Sequence, residues 1–128
     1  MELSESMEDY LEAVLIIRYQ NGEDNVRSID IATYLSVSKP SVSHAVKLLC
    51  QKGYLEMDKD SFLHLTNMGA DLAEKVYERH RFFSVLLTAI GVSEKNAVKD
   101  ACRIEHYISK ETFEKIRAIW SNYQLQHS

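Results

Sequence analysis

The stretch "SIDIATYLSVSKPSVSHAVKLLCQKG", Ser28 to Gly53, decides how this chain folds. Its first eight residues pattern as a short amphipathic helix, and "SVS" reads as a tight turn. From Lys39 a second helix begins, with Pro40 in its first turn, where a missing N–H is harmless, and Gly53 past its end. Upstream, Tyr10, Leu11, Val14, Leu15 and Ile17 recur at helical spacing over Met7 to Tyr19 until "QNGEDN" breaks the pattern. Downstream, Tyr54–Met57 and Phe62–Leu65 form two extended runs around the polar turn Asp58-Lys59-Asp60, which predicts a hairpin. A long helix is expected from Asn67 to about Ile90, ended by Gly91. Ser93 can cap a fifth helix through Tyr107, and Ser109 a sixth through about Tyr123.

Helix, short helix, turn, helix, hairpin is the order of a winged helix-turn-helix. The expected fold is therefore mainly α: a winged helix-turn-helix with a small β-hairpin wing over residues 1–66, then an all-helical domain over 67–128, linked by the helix at about 67–90. Length alone favours a single compact unit over two lobes sharing a helix. Hydrophobic residues at 45% and charged residues at 27% exclude the disordered and disulfide-rich classes. No apolar run approaches the roughly 20 residues of a membrane span. "MELSE" lacks the basic start and apolar middle of a signal peptide, so the cytoplasm is the expected compartment, without membrane association. Cys50 and Cys102 show no CxxC spacing and fit reduced thiols, so a metal site would have to recruit His, Asp and Glu as well. Cys50 is expected to face the core as a small hydrophobe.

The net charge of −4 hides an uneven distribution. Met1 to Thr66 holds 6 Lys+Arg against 11 Asp+Glu, yet Ser36 to Leu55 carries Lys39, Lys47 and Lys52 and no acid. A helix that reads DNA needs short polar and basic residues in its first turns and apolar ones behind. Ser38, Lys39, Ser41, Ser43, His44 and Lys47 supply the first set; Val42, Ala45, Val46, Leu48 and Leu49 supply the second, expected to pack on Ile29, Ile31, Ala32 and Leu35. Lys39, Lys47 and Arg27 are candidates for phosphates, Ser41, Ser43 and His44 for base edges, and Lys59 for backbone contact from the wing. With Pro40 these complete the candidate interface to double-stranded operator DNA.

"ACRIEHYIS", Ala101 to Ser109, sets Cys102, Glu105 and His106 at i, i+3 and i+4, on one helix face. A thiolate, a carboxylate and an imidazole together suit a divalent transition ion and pack poorly as an apolar surface. Asp9 and Glu12, at i and i+3, and His80 in "ERHRFF" are weak signals alone, since early acids complement a helix dipole and a lone histidine is usually structural.

"MEDYLEA", "SIDIATYLSVSKPSVSHAVKLLCQKGYLE", "LTNMGADLAEKVYERHRFF" and "ACRIEHYIS" resemble, in order, segments of the diphtheria toxin repressor family of metal-dependent regulators, including its manganese-responsive MntR-like branch. The resemblance implies metal ligands at Asp9, Glu12, His80, Cys102, Glu105 and His106, a divalent cofactor, Mn(II) or Fe(II), and a homodimer whose helix Lys39 to Gln51 reads DNA. It also implies that the second domain binds the metal and dimerises, and that the protein represses metal-uptake genes. The ligand set is a hybrid: the manganese branch typically has a carboxylate where this chain has Cys102, and the iron branch usually a methionine where it has Asp9. Ser84 and Val98 stand where an ancillary site would place a glutamate and a histidine. The sequence stops at Ser128, and an architecture like that of the shorter branch, without the SH3-like domain of the longer iron-responsive members, is expected.

"FEKIRAIWSNY" aligns Phe113, Ile116, Ile119, Trp120 and Tyr123 along one helix, a candidate dimer surface that could equally fill the lobe's own core. An enzyme is not expected: a di-iron bundle needs Glu-x-x-His from two helices, and no nucleophile motif or phosphate loop is present. The competing reading is a winged-helix regulator of a small organic ligand, with the Cys102 face structural.

Overall fold

The computed structural model describes residues 3–22 and 25–127. Its elements are α1 (Glu5–Asn21), α2 (Ser28–Leu35), α3 (Lys39–Gln51), β1 (Leu55–Met57), β2 (Leu63–Leu65), α4 (Asn67–Ala89), α5 (Glu94–Tyr107) and α6 (Lys110–His127). They form two compact units, Met1–Lys75 and Val76–Ser128, rather than the single one that length favoured; the division falls inside α4. The turn expected at "QNGEDN" includes Glu23 and Asp24, which lie outside the described residues.

Local chemistry fixes each boundary of the first unit. Ser4 Oγ accepts from Met7 N to cap α1, and Gly22 ends it at φ 69°. Asp30 returns a carboxylate to the Arg27 amide at 2.9 Å, starting α2. Ser36 takes the left-handed conformation, φ 56°, and so turns the chain between α2 and α3. Ser38 Oγ then caps α3 by accepting from Ser41 N at 3.2 Å. Helix α1 packs on α2 and α3, and the core consists of Leu11, Val14, Leu15, Val26, Ile31, Val42, Leu49, Leu55 and Leu63.

The wing pairs β1 with β2 antiparallel, in the register Leu55↔Leu65, Glu56↔His64 and Met57↔Leu63. A bridge from Val26 to Leu63 ties it to the segment before α2. Its turn is built on Asp58, whose Oδ1 accepts from Asp60 N and Phe62 N at 2.9 and 3.0 Å while Oδ2 lies 2.9 Å from His64 Nε2. These bonds, His64 foremost and the Phe62 amide next, hold the Asp58 carboxyl below the usual aspartate range.

In the second unit Phe83, Ala101 and Phe113 form the core, with Phe82 meeting both phenylalanines edge-on at 5.1 and 5.4 Å. Ser93 caps α5, and Ser109 Oγ accepts from Thr112 N at 3.1 Å at the start of α6. Helix α6 runs four residues past its expected end. "QLQH" contains no breaker, and His127 Nδ1 donates to Tyr123 O at 2.9 Å. No helix among the described residues is long and apolar enough to cross a membrane.

Candidate metal centre and nucleic-acid interface

Helix α3 divides as its sequence requires. Val42, Ala45, Val46 and Leu49 are buried, Leu48 is half-buried, and Lys39, Pro40, Ser41, Ser43, His44 and Lys47 are exposed. One expected partner is misplaced: Ile29 is 45% exposed. It lies about 200° around α2 from Ile31 at 100° per residue, so burying both from one side was impossible. Ser38 is exposed, but its hydroxyl is committed to the cap of α3. Lys59 is exposed on the wing turn. Arg27 holds its guanidinium 4.1 Å over the ring of Phe62, joining the start of α2 to the wing. Neither Phe62 nor the His64–Asp58 pair stood out in the sequence, since both depend on where the hairpin lands. Cys50 is half-buried rather than in the core; burial, then the charge of Glu56, raises its thiol pKa.

The metal candidates of the second unit come together. Cys102, Glu105 and His106 of α5 each offer a donor atom within 4.8 Å of the others. His80, from α4, places Nδ1 4.0 Å from Glu105 Oε2, and His106 Nε2 lies 3.5 Å from Oε1. The Glu105 and His106 side chains are 0% and 1% exposed, and Cys102 is half-buried. Burying a carboxylate is costly unless positive charge meets it. A site that converges two imidazoles and a thiol on that carboxylate has the donor chemistry of a divalent transition-metal centre. Arg79 steadies the same region: its Nη1 donates to Ile108 O, just past α5, at 3.3 Å, and its guanidinium lies 5.0 Å from the centre of the Phe113 ring. In the first unit Asp9 and Glu12 share a face of α1, Asp9 half-buried and Glu12 only 6% exposed.

The apolar stripe of α6 splits. Phe113 serves the unit's own core, Ile116 packs against that core and also lines an open groove of about 580 Å³, and Ile119, Trp120 and Tyr123 line the same groove with Leu86, Ala89 and Ile90.

Comparison with known proteins places these features in company. A family profile described as the iron dependent repressor N-terminal DNA binding domain matches residues 2–63, and one described as the iron dependent repressor metal binding and dimerisation domain matches 66–126. The HTH-type transcriptional regulator MntR of Geobacillus kaustophilus is 37% identical over 87% of this chain and 77% of its own. The transcriptional regulator MntR of Escherichia coli is 35% identical over 88% and 72%. Among solved structures, that of the manganese regulator SloR superposes with a TM-score of 0.78 at 28% identity, over 90% of this chain and 53% of SloR, so the chain spans about half of that protein.

Proposed function

The chain belongs to the iron-dependent repressor family of metal-dependent transcriptional regulators, and from that premise we propose that it is a homodimeric repressor of Mn(II) or Fe(II) uptake genes. The observation that carries this reading is the buried Glu105 carboxylate with Cys102, His80 and His106 around it. The ligand set is His80, Cys102, Glu105 and His106, completed by Asp9 and Glu12 of the DNA-binding domain. A cation bound there supplies positive charge and a common ligand point, tying the DNA-binding domain to the dimerisation domain. Asp9, Glu12 and Glu105 carry the negative charge that opposes approach to phosphate while the site is unliganded. Lys39 and Lys47 contact phosphates, Ser41, Ser43 and His44 face base edges, and Lys59 reaches the backbone from the wing. Arg27, stacked on Phe62, takes a phosphate at the edge of this surface. Ile119, Trp120 and Tyr123 receive the second copy, so that two recognition helices enter successive major grooves about 34 Å apart.

The test is anaerobic fluorescence anisotropy on DNA upstream of this gene and of neighbouring metal-transport genes, at fixed salt, with chelator, Mn(II), Fe(II) or Zn(II). DNA binding is expected to tighten with Mn(II) or Fe(II) and to fall away with chelator. Glu105→Ala is expected to stay folded and to lose the metal response by at least about tenfold. Binding that ignores the ion in the unmodified chain would reduce the reading to a winged-helix protein with a structural Cys102 face.

A further inference from the structure

The first turn of α4 grips the carboxyl end of α3 through contacts that the DNA-reading face does not use. Thr66 Oγ1 donates to Gly53 O at 2.6 Å and accepts from Gly69 N at 3.1 Å. The Thr66 amide donates to Tyr54 O at 3.1 Å, and the Tyr54 amide to Leu49 O, in the last turns of α3, at 2.9 Å. Gly69 closes the joint: a Cβ there would lie 1.9 Å from Tyr54 O, so the α4 backbone rests directly on the backbone that leaves α3. The Met68 side chain lies beside Gly53, but at Gly69 the two backbones meet directly, with only backbone atoms of Tyr54 facing the glycine. Helix α4 then runs unbroken to Ala89 and carries His80.

We propose that Thr66 and Gly69 are positioning residues that couple the state of His80 to the recognition helix α3. The inference rests on the metal-responsive reading above and adds the route by which the response reaches DNA. With α4 seated backbone on backbone at the end of α3, a constraint applied to α4 at His80 is a constraint on α3. With the seat loosened, both sites keep their own ligands and lose their effect on each other.

The experiment uses the full chain, with metal affinity from anaerobic calorimetry and DNA affinity from anisotropy, each with Mn(II) or Fe(II) and with chelator. Thr66→Val is expected to retain the circular dichroism of the wild type and its metal affinity, yet to lose about tenfold of the metal-induced gain in DNA affinity. Thr66→Ser, which keeps the hydroxyl, is expected to retain that gain. A Thr66→Val chain with the full gain would overturn the proposal while leaving the metal-responsive reading intact; a wild-type chain with no gain would overturn that reading and the proposal with it. Native-state hydrogen exchange on the wild type gives a check that needs no variant. The amides of Gly69 and Ala70 are expected to open in one event with those of Gly53 and Tyr54, and exchange at Gly69 and Ala70 about a hundredfold faster than at Tyr54 would overturn the joint.

Discussion

Cys102 is the residue that gives the proposed metal site its mixed character. A thiolate at one position and carboxylates at others balance soft against hard preference, and Mn(II) is held less firmly by sulfur than Fe(II), Co(II) or Zn(II). Cys102→Glu is therefore expected to shift selectivity toward Mn(II), lowering the Fe(II)-to-Mn(II) affinity ratio by about tenfold or more, as competition calorimetry under argon would read. A ratio that does not move would place the sulfur outside the ligand shell. The convergence of Cys102, Glu105 and His106 was legible in the sequence because i, i+3 and i+4 share a helix face whatever the helix packs on. The burial of Glu12 was not, since an acidic residue early in a helix satisfies the dipole just as well when solvated. Ile29 misled for the complementary reason: an apolar side chain on a short helix says nothing about which side of that helix the core takes.

At the scale of elements, punctuation residues made the fold readable. Ser93 and Ser109 cap helices as their sequence positions suggested, Ser4 caps α1 ahead of the start read from the sequence, and Gly22, Gly53 and Gly91 take positive φ where helices end. Thr66 and Arg27 act through partners at Gly53 and Phe62, whose nearness is a product of the finished fold, so no local pattern announces them. The wing shows what such tertiary chemistry does. Because the folded state depresses the Asp58 pKa, the stabilisation is fully present above the unfolded value and is lost as the pH falls through the folded one. The Asp60 and Phe62 amide resonances are accordingly expected to titrate with a midpoint below that of an ordinary aspartate, by NMR from pH 7 downward. In Asp58→Asn that transition should vanish. A midpoint at or above the ordinary value would dissolve the Asp58-centred turn.

For the whole molecule, the proposed dimer face is one that costs the isolated chain little. Ile119 is 71% exposed and Tyr123 51%, so Ile119→Lys is expected to change the unfolding free energy of the monomer by less than about 0.5 kcal/mol. The same substitution buries a charge wherever a second copy covers the groove, and sedimentation at micromolar concentration is expected to turn from dimer to monomer. An unaltered sedimentation coefficient would move the dimer contact elsewhere. The exposed lysines of α3 carry a consequence for tempo. In the proposed interface Lys39 and Lys47, with Arg27 and Lys59, give each reading head about four phosphate contacts, so a two-headed dimer is expected to release roughly eight counterions, a salt slope of about −7. Affinity for any duplex then depends steeply on salt, and doubling the monovalent salt is expected to weaken it about a hundredfold. Charge of this kind steers the reading faces toward the duplex, so the tempo at which DNA is found and left is set by ionic strength as much as by base sequence.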